Sequence, residues 1–359
     1  MILICVFILI ALGSQVVKRK YLPIYGFICA LILSYISFHI EIIPESDLYR
    51  HIGQIKLYSS QGLQWAINNG RFQQNPGTQL TFWLLSFLKD YRYVPAIISF
   101  IAYGLMYNLI IKIYFDFKYS KKWLMYTMTF AGVCFNYYLL IYAVRMWLVF
   151  IVFGYCMYEE CVRKKRKALC WSIYVMLIFY HYASLILVMG RVICMLLKPT
   201  KNKKEFIKRS IAIICIVLCM MYIWNNYIGT VVLKKIASYE SYEVRGKWQV
   251  LNAVVRLIGV FCIVLYQKMK HNKEELSIYY NFLLYIIIFM ILKFGNYQVV
   301  LRFADCLVVM SLAVLPNGNK IGSNKRLTIT ISQATICLMI ISSIVYSVLF
   351  DFRNLHFIF

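Results

Sequence analysis

The stretch YVPAIISFIAYGLMYNLII at residues 93–111 decides the fold class. It contains no Asp, Glu, Lys or Arg, and at about 1.5 Å per helical residue it nearly matches the roughly 30 Å hydrocarbon core of a bilayer. Similar runs recur along the chain of 359 residues, which is 62% hydrophobic and 15% charged and has a mean hydropathy of +0.69. A soluble domain carries about 25% charged residues. The composition therefore predicts an all-α polytopic membrane protein.

The apolar runs predict about twelve transmembrane passes, some short or broken, within a single integral membrane domain covering residues 1–359. The runs lie at 1–17, 21–40, 93–111, 123–142, 146–158, 168–180, 182–197, 210–229, 248–266, 277–292, 298–315 and 328–350. A further apolar run, from Thr78 to Leu88, is only half a bilayer long. Residues 77–92 are therefore predicted to form a re-entrant or interfacial helix, which is tolerated where it packs on protein or lines a cavity.

The net charge of +25 predicts an orientation in the membrane rather than a nucleic-acid partner. Predicted connections on one side hold 24 of the 39 Lys and Arg residues, which is the pattern of cytoplasmic loops. These connections are 18–20, 112–122, 159–167, 198–209, 267–275 and 316–326. Both termini are consequently predicted on the outer side. The twelve cysteines lie mostly within apolar runs and form no Cys-x-x-Cys pair, so packing roles are expected, with no metal or cofactor.

Two outer connections are long enough to contribute to a binding site, at residues 41–76 and 227–247. Both combine carboxylates with aromatic rings, and the first is also rich in amides. Sugar recognition uses these groups, although an ordinary solvated loop has a similar composition. The two segments are predicted to be the first and second extracytoplasmic loops.

Ionisable residues at membrane depth are the candidate functional groups, because each costs about 2.5–3.5 kcal/mol to insert. Arg145, His181 and Arg302 are expected near the outer interface, whereas Arg256 lies in the middle of a run. Each has a structural alternative: Arg145 snorkels to headgroups, His181 is a core histidine, and Arg302 pairs with Asp305. For Arg256, a ligand contact and a buried ion pair remain equally open.

This set of side chains predicts glycosyl transfer from a lipid-linked donor on the outer face. Arginines bind diphosphate oxygens in a bidentate manner, so Arg145 and Arg302, with Arg50 and Arg256 as weaker candidates, are expected to hold the leaving group. A histidine has a pKa suited to removing a proton from an attacking hydroxyl, which is the role expected for His181. Asp47 would orient or activate that hydroxyl.

Four short segments resemble the EpsG family of bacterial exopolysaccharide proteins, which look like Wzy-type repeat-unit polymerases. They are SDLYR at 46–50, IYAVRMWL at 141–148, FYHYASLI at 179–186 and Arg302 at the head of a late helix. The resemblance implies catalytic roles for Asp47, Arg145 and His181, and binding of diphosphate or sugar by Arg302, Arg50 and Tyr49. Arg256 remains a binding candidate because of its depth in the membrane.

The resemblance further implies polymerisation of an oligosaccharide carried on undecaprenyl diphosphate, at the outer face of the bacterial cytoplasmic membrane. A flippase and a chain-length regulator of the same pathway are the protein partners expected. Two alternatives from other classes are a flippase or other transporter of lipid-linked oligosaccharides and a membrane O-acyltransferase. No internal repeat of the kind found in many transporters is evident.

Overall fold

The computed structural model describes residues 2–44, 46–69, 75–196, 203–223, 247–270, 274–293, 296–315, 326–351 and 357. These residues form α-helices joined by short turns, and the β contact among them is an isolated bridge between Ile40 and Phe357. The predicted all-α class is confirmed.

Fifteen α-helices lie within the described residues. The first ten are α1 (Ile2–Val16), α2 (Leu22–Phe38), α3 (Asp47–Asn68), α4 (Pro76–Leu85), α5 (Tyr93–Asp116), α6 (Lys121–Cys134), α7 (Tyr137–Ala143), α8 (Arg145–Met157), α9 (Lys167–Tyr180) and α10 (Ala183–Leu196). The others are α11 (Lys203–Ile223), α12 (Lys247–Lys270), α13 (Glu274–Leu292), α14 (Tyr297–Ser311) and α15 (Arg326–Tyr346).

Helix α5 is the central element, and 67% of its most apolar stretch is buried. It packs closely against α2 because small residues line their contact, as in many membrane helix pairs. Gly104 of α5 faces Ala30 of α2, where an added Cβ would lie 3.8 Å from the alanine methyl. A Cβ on Gly26 would lie 2.7 Å from Cδ1 of Ile111, so glycine allows this approach without a shift of the isoleucine side chain.

The helices differ in whether they could cross a membrane alone. Three described helices are long and apolar enough, at Arg19–Phe38, Tyr93–Asp116 and Trp248–Lys268, and the bent pair α6 and α7 would make a fourth. Length and composition therefore support three or four crossings, fewer than the twelve expected. The reason is that several of the other apolar runs form helices of only 10–17 residues: α9, with 14 residues, is only about 21 Å long.

The predicted outer connections need revision. Within the first predicted loop (41–76), residues 47–68 form the whole of α3, which is kinked at Gly62 (φ 67°, ψ −173°). The amphipathic pattern of this segment, with few apolar residues, explains why it resembles a loop in a search for hydrophobic runs. Of the second predicted loop, 227–247, only Lys247 lies within the described residues.

Ion pairs join the end of α5 to the turn that follows α8. Lys112 Nζ lies 2.5 Å from Glu159 Oε1, and Arg163 Nη1 lies 2.9 Å from the same oxygen. Arg163 Nε also lies 3.1 Å from Asp116. These two basic residues were interpreted as topology signals, but they also stabilise the contact between two helix ends.

The start of α6 lies at the same end of the bundle. The Gln15 side-chain amide donates to the Lys121 carbonyl at 2.6 Å, and Lys121 Nζ donates back to the Gln15 carbonyl at 2.7 Å. Trp123 Nε1 donates to the Leu315 carbonyl at 3.2 Å. Four segments that sequence analysis assigned to one side of the membrane therefore meet or adjoin here. This basic end comprises residues 15–21, 112–123, 158–167 and 315.

The opposite end gathers the segments assigned to the other side. The Tyr142 hydroxyl donates to the Glu41 carbonyl at 2.8 Å, and Ile40 pairs with Phe357. Helices α2, α5 and α8 each run from one end to the other. This second end, called the site end below, comprises residues 38–51, 75–93, 137–146, 180–184 and 357.

A buried carboxylate ties four helices together between these ends. Asp305 of α14, 1% exposed, lies 2.5 Å from Arg256 Nη1 of α12 and accepts a hydrogen bond of 2.8 Å from Trp147 Nε1 of α8. The Asn136 backbone N–H donates to the same carboxylate. Arg256 Nε donates to Ser343 Oγ of α15 at 3.3 Å. Of the two readings of Arg256, the structure therefore favours the buried ion pair over a ligand contact.

The same carboxylate determines the path of the chain between α6 and α8. Asn136 and Trp147 both reach Asp305, so residues 137–146 leave this point and return to it. This segment, residues 137–146, is called the excursion below; it contains α7 and Arg145. Its base is thus held by a buried ion pair while its tip reaches the site end.

Replacing Asp305 by Asn should reduce the free energy of unfolding by about 3–5 kcal/mol, because the Arg256 charge would remain buried without its partner. The double variant Asp305→Leu with Arg256→Met should recover most of that loss, since both charges are removed together. Thermal unfolding of the purified protein measures both effects. Single variants as stable as the original chain would contradict the role of this ion pair.

Candidate functional site

The α7–α8 break places Arg145 at the first position of a helix. Val144, just before it, has φ 34° and ψ −69°. A positive φ is a genuine outlier for a β-branched residue, and sparsely populated backbone conformations cost about 1–3 kcal/mol. Val144 and Tyr142 are 2% and 3% exposed, so packing maintains the strain. Strain of this kind is concentrated at functional sites in proteins.

The α9–α10 break lies at His181, as the basic flanks of residues 168–197 predicted. His181 has an extended backbone (φ −155°, ψ 127°), and its N–H donates to the Leu177 carbonyl at 2.9 Å. Its Nδ1 accepts a hydrogen bond of 3.1 Å from the Ala183 N–H. In a neutral imidazole this leaves the proton on Nε2, which is then a donor. This geometry favours a hydrogen-bond donor over the general base expected from the sequence.

The short helix α4 packs on this break. Thr78 Oγ1 donates to the Tyr180 carbonyl at 2.6 Å, and an added Cβ on Gly77 would lie 3.2 Å from Tyr180 N and Cα. The expectation that the short apolar element at 77–92 packs on protein therefore agrees with the contacts of α4. Residues 86–92 turn away from it toward α5, with an exposed ion pair between Asp90 and Arg92.

Helix α3 presents two different faces. Ser46 caps it by accepting a hydrogen bond from the Tyr49 N–H at 3.1 Å. Asp47 and Arg50 pair with each other on the exposed face, where Tyr49 is 52% exposed. An exposed pair contributes at most about 1 kcal/mol. The three candidates on this helix, Asp47, Tyr49 and Arg50, therefore lie on its exposed side, accessible to a ligand.

The buried face of α3 carries a histidine that sequence analysis treated as a loop residue. His51 is 5% exposed, its ring centroid lies 4.9 Å from that of Phe82 in α4, and neither ring nitrogen has a hydrogen-bond partner. Leaving such a buried polar group unsatisfied costs about 1–3 kcal/mol. The spacing of Leu48, His51, Ile52 and Ile55 on one helical face would have revealed its burial.

Arg145 is the charge around which these elements meet. Burial, together with the positive charges of Arg145 and Arg50, lowers the pKa of His51 to about 3. The charge of Arg145 also acts on the Tyr180 phenol at the end of α9. One guanidinium therefore lies near both α3 and the α9–α10 break, which brings together three of the predicted motifs.

The remaining candidates lie elsewhere. Arg256 is occupied by Asp305, so the structure does not support the substrate-binding role predicted for it. Arg302 is half-buried on α14, one turn before Asp305, whose ion pair is with Arg256. Among the described residues, no group of three or more His, Cys, Asp or Glu side chains is arranged to hold a metal ion.

Comparisons with protein-family models, curated proteins and solved structures found no match to this chain. A functional assignment therefore depends on the geometry around Arg145 and on the motif resemblance alone.

Replacing Gly77 by Ala should reduce the free energy of unfolding by about 1–3 kcal/mol, because the new methyl group meets Tyr180 backbone atoms that cannot yield like a flexible side chain. Gly53→Ala is the matched control: a Cβ there has no neighbour within 4 Å, and alanine favours the helix by up to about 1 kcal/mol. Thermal unfolding compares the two. Equal effects would show that α4 does not pack on the α9–α10 break.

Acidic pH should destabilise helix α3. The pKa of His51 is lowered from 6.5 to about 3 in the folded protein, so below about pH 6.5 the unfolded form binds a proton that the folded form does not. Stability is lost as pH falls from about 6.5 toward 3 and is unaffected by this group above that range. The protection of residues 47–61 against hydrogen exchange, relative to the intrinsic rate at each pH, should decrease between pH 7.5 and 5, and His51→Phe should weaken the dependence. An unchanged pH dependence in that variant would contradict this assignment.

Proposed function

We propose that this chain polymerises lipid-linked oligosaccharide repeat units of an exopolysaccharide or capsule, on the outer face of the bacterial cytoplasmic membrane. It transfers a growing glycan from undecaprenyl diphosphate onto the next lipid-linked unit. The observation that carries the proposal is the position of Arg145, at a strained helix break beside His51 and Tyr180. The motif resemblance supplies the substrate class.

Arg145 is suited to a diphosphate for two reasons. Its guanidinium can donate two parallel hydrogen bonds to phosphate oxygens. It is also the first residue of α8, a helix of 13 residues, whose N-terminal N–H groups and dipole favour an anion. Together these features favour a leaving group that gains negative charge during the reaction, and Arg302 is the second cation proposed to contact it.

In the proposed step, a hydroxyl oxygen of the acceptor sugar attacks the anomeric carbon of the donor glycan. The bond between that carbon and the diphosphate oxygen breaks, and the diphosphate leaves with the bonding electrons. Arg145 stabilises the developing charge, and Nε2–H of His181 donates a hydrogen bond to it. The hydroxyl proton passes to Asp47, the carboxylate in the first turn of α3.

The proposal includes about twelve passes, with the site end and both termini outside. The grouping of contacts at two ends supports this arrangement, because the segments at the basic end carry the Lys and Arg clusters typical of cytoplasmic loops. Helix α4, 10 residues long, would be the re-entrant or interfacial element. A flippase that delivers the substrate and a chain-length regulator are the proposed protein partners.

Transport of the same lipid-linked units is the second candidate. The interruptions at Val144 and His181 favour it, since discontinuous helices are typical of transporter binding sites. A polymerase and a flippase differ in where substrate accumulates when they fail. Loss of a polymerase leaves single units on the outer face, whereas loss of a flippase leaves them inside.

Arg145→Ala and His181→Ala should reduce polymer synthesis by about 10²–10³-fold without reducing the amount of protein in the membrane, because each removes a contact to the leaving group. Arg302→Lys should have a smaller effect, since lysine retains the charge but not the bidentate geometry. Polysaccharide length on gels provides the measurement. Arg92→Ala, at an exposed arginine of the same end, is the matched control.

The location of single repeat units in the Arg145→Ala strain completes the test. Units accessible at the outer face support the polymerase. Accumulation on the inner face, or normal polymer in both site variants, would contradict it.

A further inference from the structure

Within the described ranges, His51 is the buried polar side chain of the site end that lacks hydrogen-bond partners. Other unpartnered buried groups, for instance the hydroxyls of Ser99, Tyr103 and Tyr107, lie on α5. For His51, both ring nitrogens lack a partner, and the residue is 5% exposed. A buried group that could make two hydrogen bonds and makes neither needs an explanation, and an absent ligand supplies one.

The chemistry of the missing partner follows from the charge state of the ring. Burial and the positive charges of Arg145 and Arg50 disfavour the imidazolium, so His51 is neutral. A neutral imidazole presents one N–H donor and one nitrogen acceptor. Phosphate oxygens only accept hydrogen bonds, whereas a sugar hydroxyl both donates and accepts. The complement of His51 is therefore hydroxyl-bearing, and the complement of the adjacent Arg145 is anionic.

We propose that His51 binds a hydroxyl of the sugar directly attached to the diphosphate that Arg145 holds. The two residues form a two-part site that distinguishes a sugar-bearing polyprenyl diphosphate from the bare lipid released after transfer. This inference rests on the proposed function and adds to it a residue that determines which form of the lipid is retained.

The shape of α3 provides a route to the buried ring. His51 is covered by Phe82 of α4, and the segment that carries it, residues 47–61, ends at the kink of Gly62. Movement of this segment about Gly62 uncovers the imidazole. Sugar hydroxyls that satisfy the two nitrogens, one as acceptor and one as donor, favour the return of α3 over the ligand, so binding and closure are coupled.

The test measures binding of two probes, undecaprenyl diphosphate and undecaprenyl diphosphate-linked N-acetylglucosamine, to the full chain in nanodiscs. The original protein should prefer the sugar-bearing lipid. His51→Phe, which retains an aromatic ring against Phe82, should reduce that preference about tenfold and leave the affinity for undecaprenyl diphosphate within about threefold. His51→Gln, whose amide both donates and accepts, should restore part of the preference.

Stability separates ligand recognition from a structural role. Because His51 has no hydrogen bond to lose, His51→Phe and His51→Leu should be at least as thermally stable as the original chain. The matched control is Tyr103→Phe, which removes another unpartnered buried group, in the core of α5, and should leave the lipid preference unchanged. A marked loss of stability in both His51 variants would overturn the proposal, since it would show that the imidazole has partners within the fold.

Lipid binding by the His51 and Arg145 variants separates failure of the inference from failure of the proposed function. If His51→Phe retains the preference while Arg145→Ala weakens both probes, the inference about His51 is wrong and the proposed function stands. If Arg145→Ala weakens neither probe, the diphosphate site fails and the inference fails with it.

Discussion

The buried carboxylate of Asp305 is the constraint on which the site depends. It binds Arg256, Trp147 and the Asn136 N–H, so it joins α12 and α14 to both arms of the excursion at residues 137–146. The ends of that excursion are thereby held together far from solvent. Its tip can then maintain a strained residue and present Arg145 beside α3. Arg256, which the sequence suggested for either a ligand contact or a buried ion pair, instead pairs with Asp305 and supports the element that carries Arg145.

Two features at the site end of the bundle are locally unfavourable. Val144 has a backbone conformation that valine rarely adopts, and His51 is buried without hydrogen bonds. At the basic end, by contrast, buried charges are paired: Glu160 accepts bonds of 2.6 and 3.0 Å from Arg191, and Glu159 contacts Lys112 and Arg163. Natural proteins tolerate unfavourable local conformations and unpaired polar groups mainly where function requires them. These two features support the proposal that the site lies at this end, separately from the motif resemblance.

Sequence predicted the helices well and their partners poorly. Hydrophobic runs identified nearly every helix, and the basic flanks of residues 168–197 correctly required a break near His181. The helix α3 was missed because its period is amphipathic rather than continuously apolar. The partner of Asp305 was missed because a local i, i+3 neighbour, Arg302, is visible in sequence, whereas Arg256 is 49 positions away. Length and composition of the described helices support three or four crossings rather than about twelve, because several apolar runs form helices of only 10–17 residues.

Reconstitution measures the proposed polymerisation itself. Purified protein in liposomes would receive undecaprenyl diphosphate-linked repeat units of defined length on the face that carries the site end. If the protein is a polymerase, we expect a ladder of longer lipid-linked glycans and release of about one undecaprenyl diphosphate for each new glycosidic bond. Correctly folded protein that leaves every unit at its original length, or only moves units across the bilayer, would contradict it.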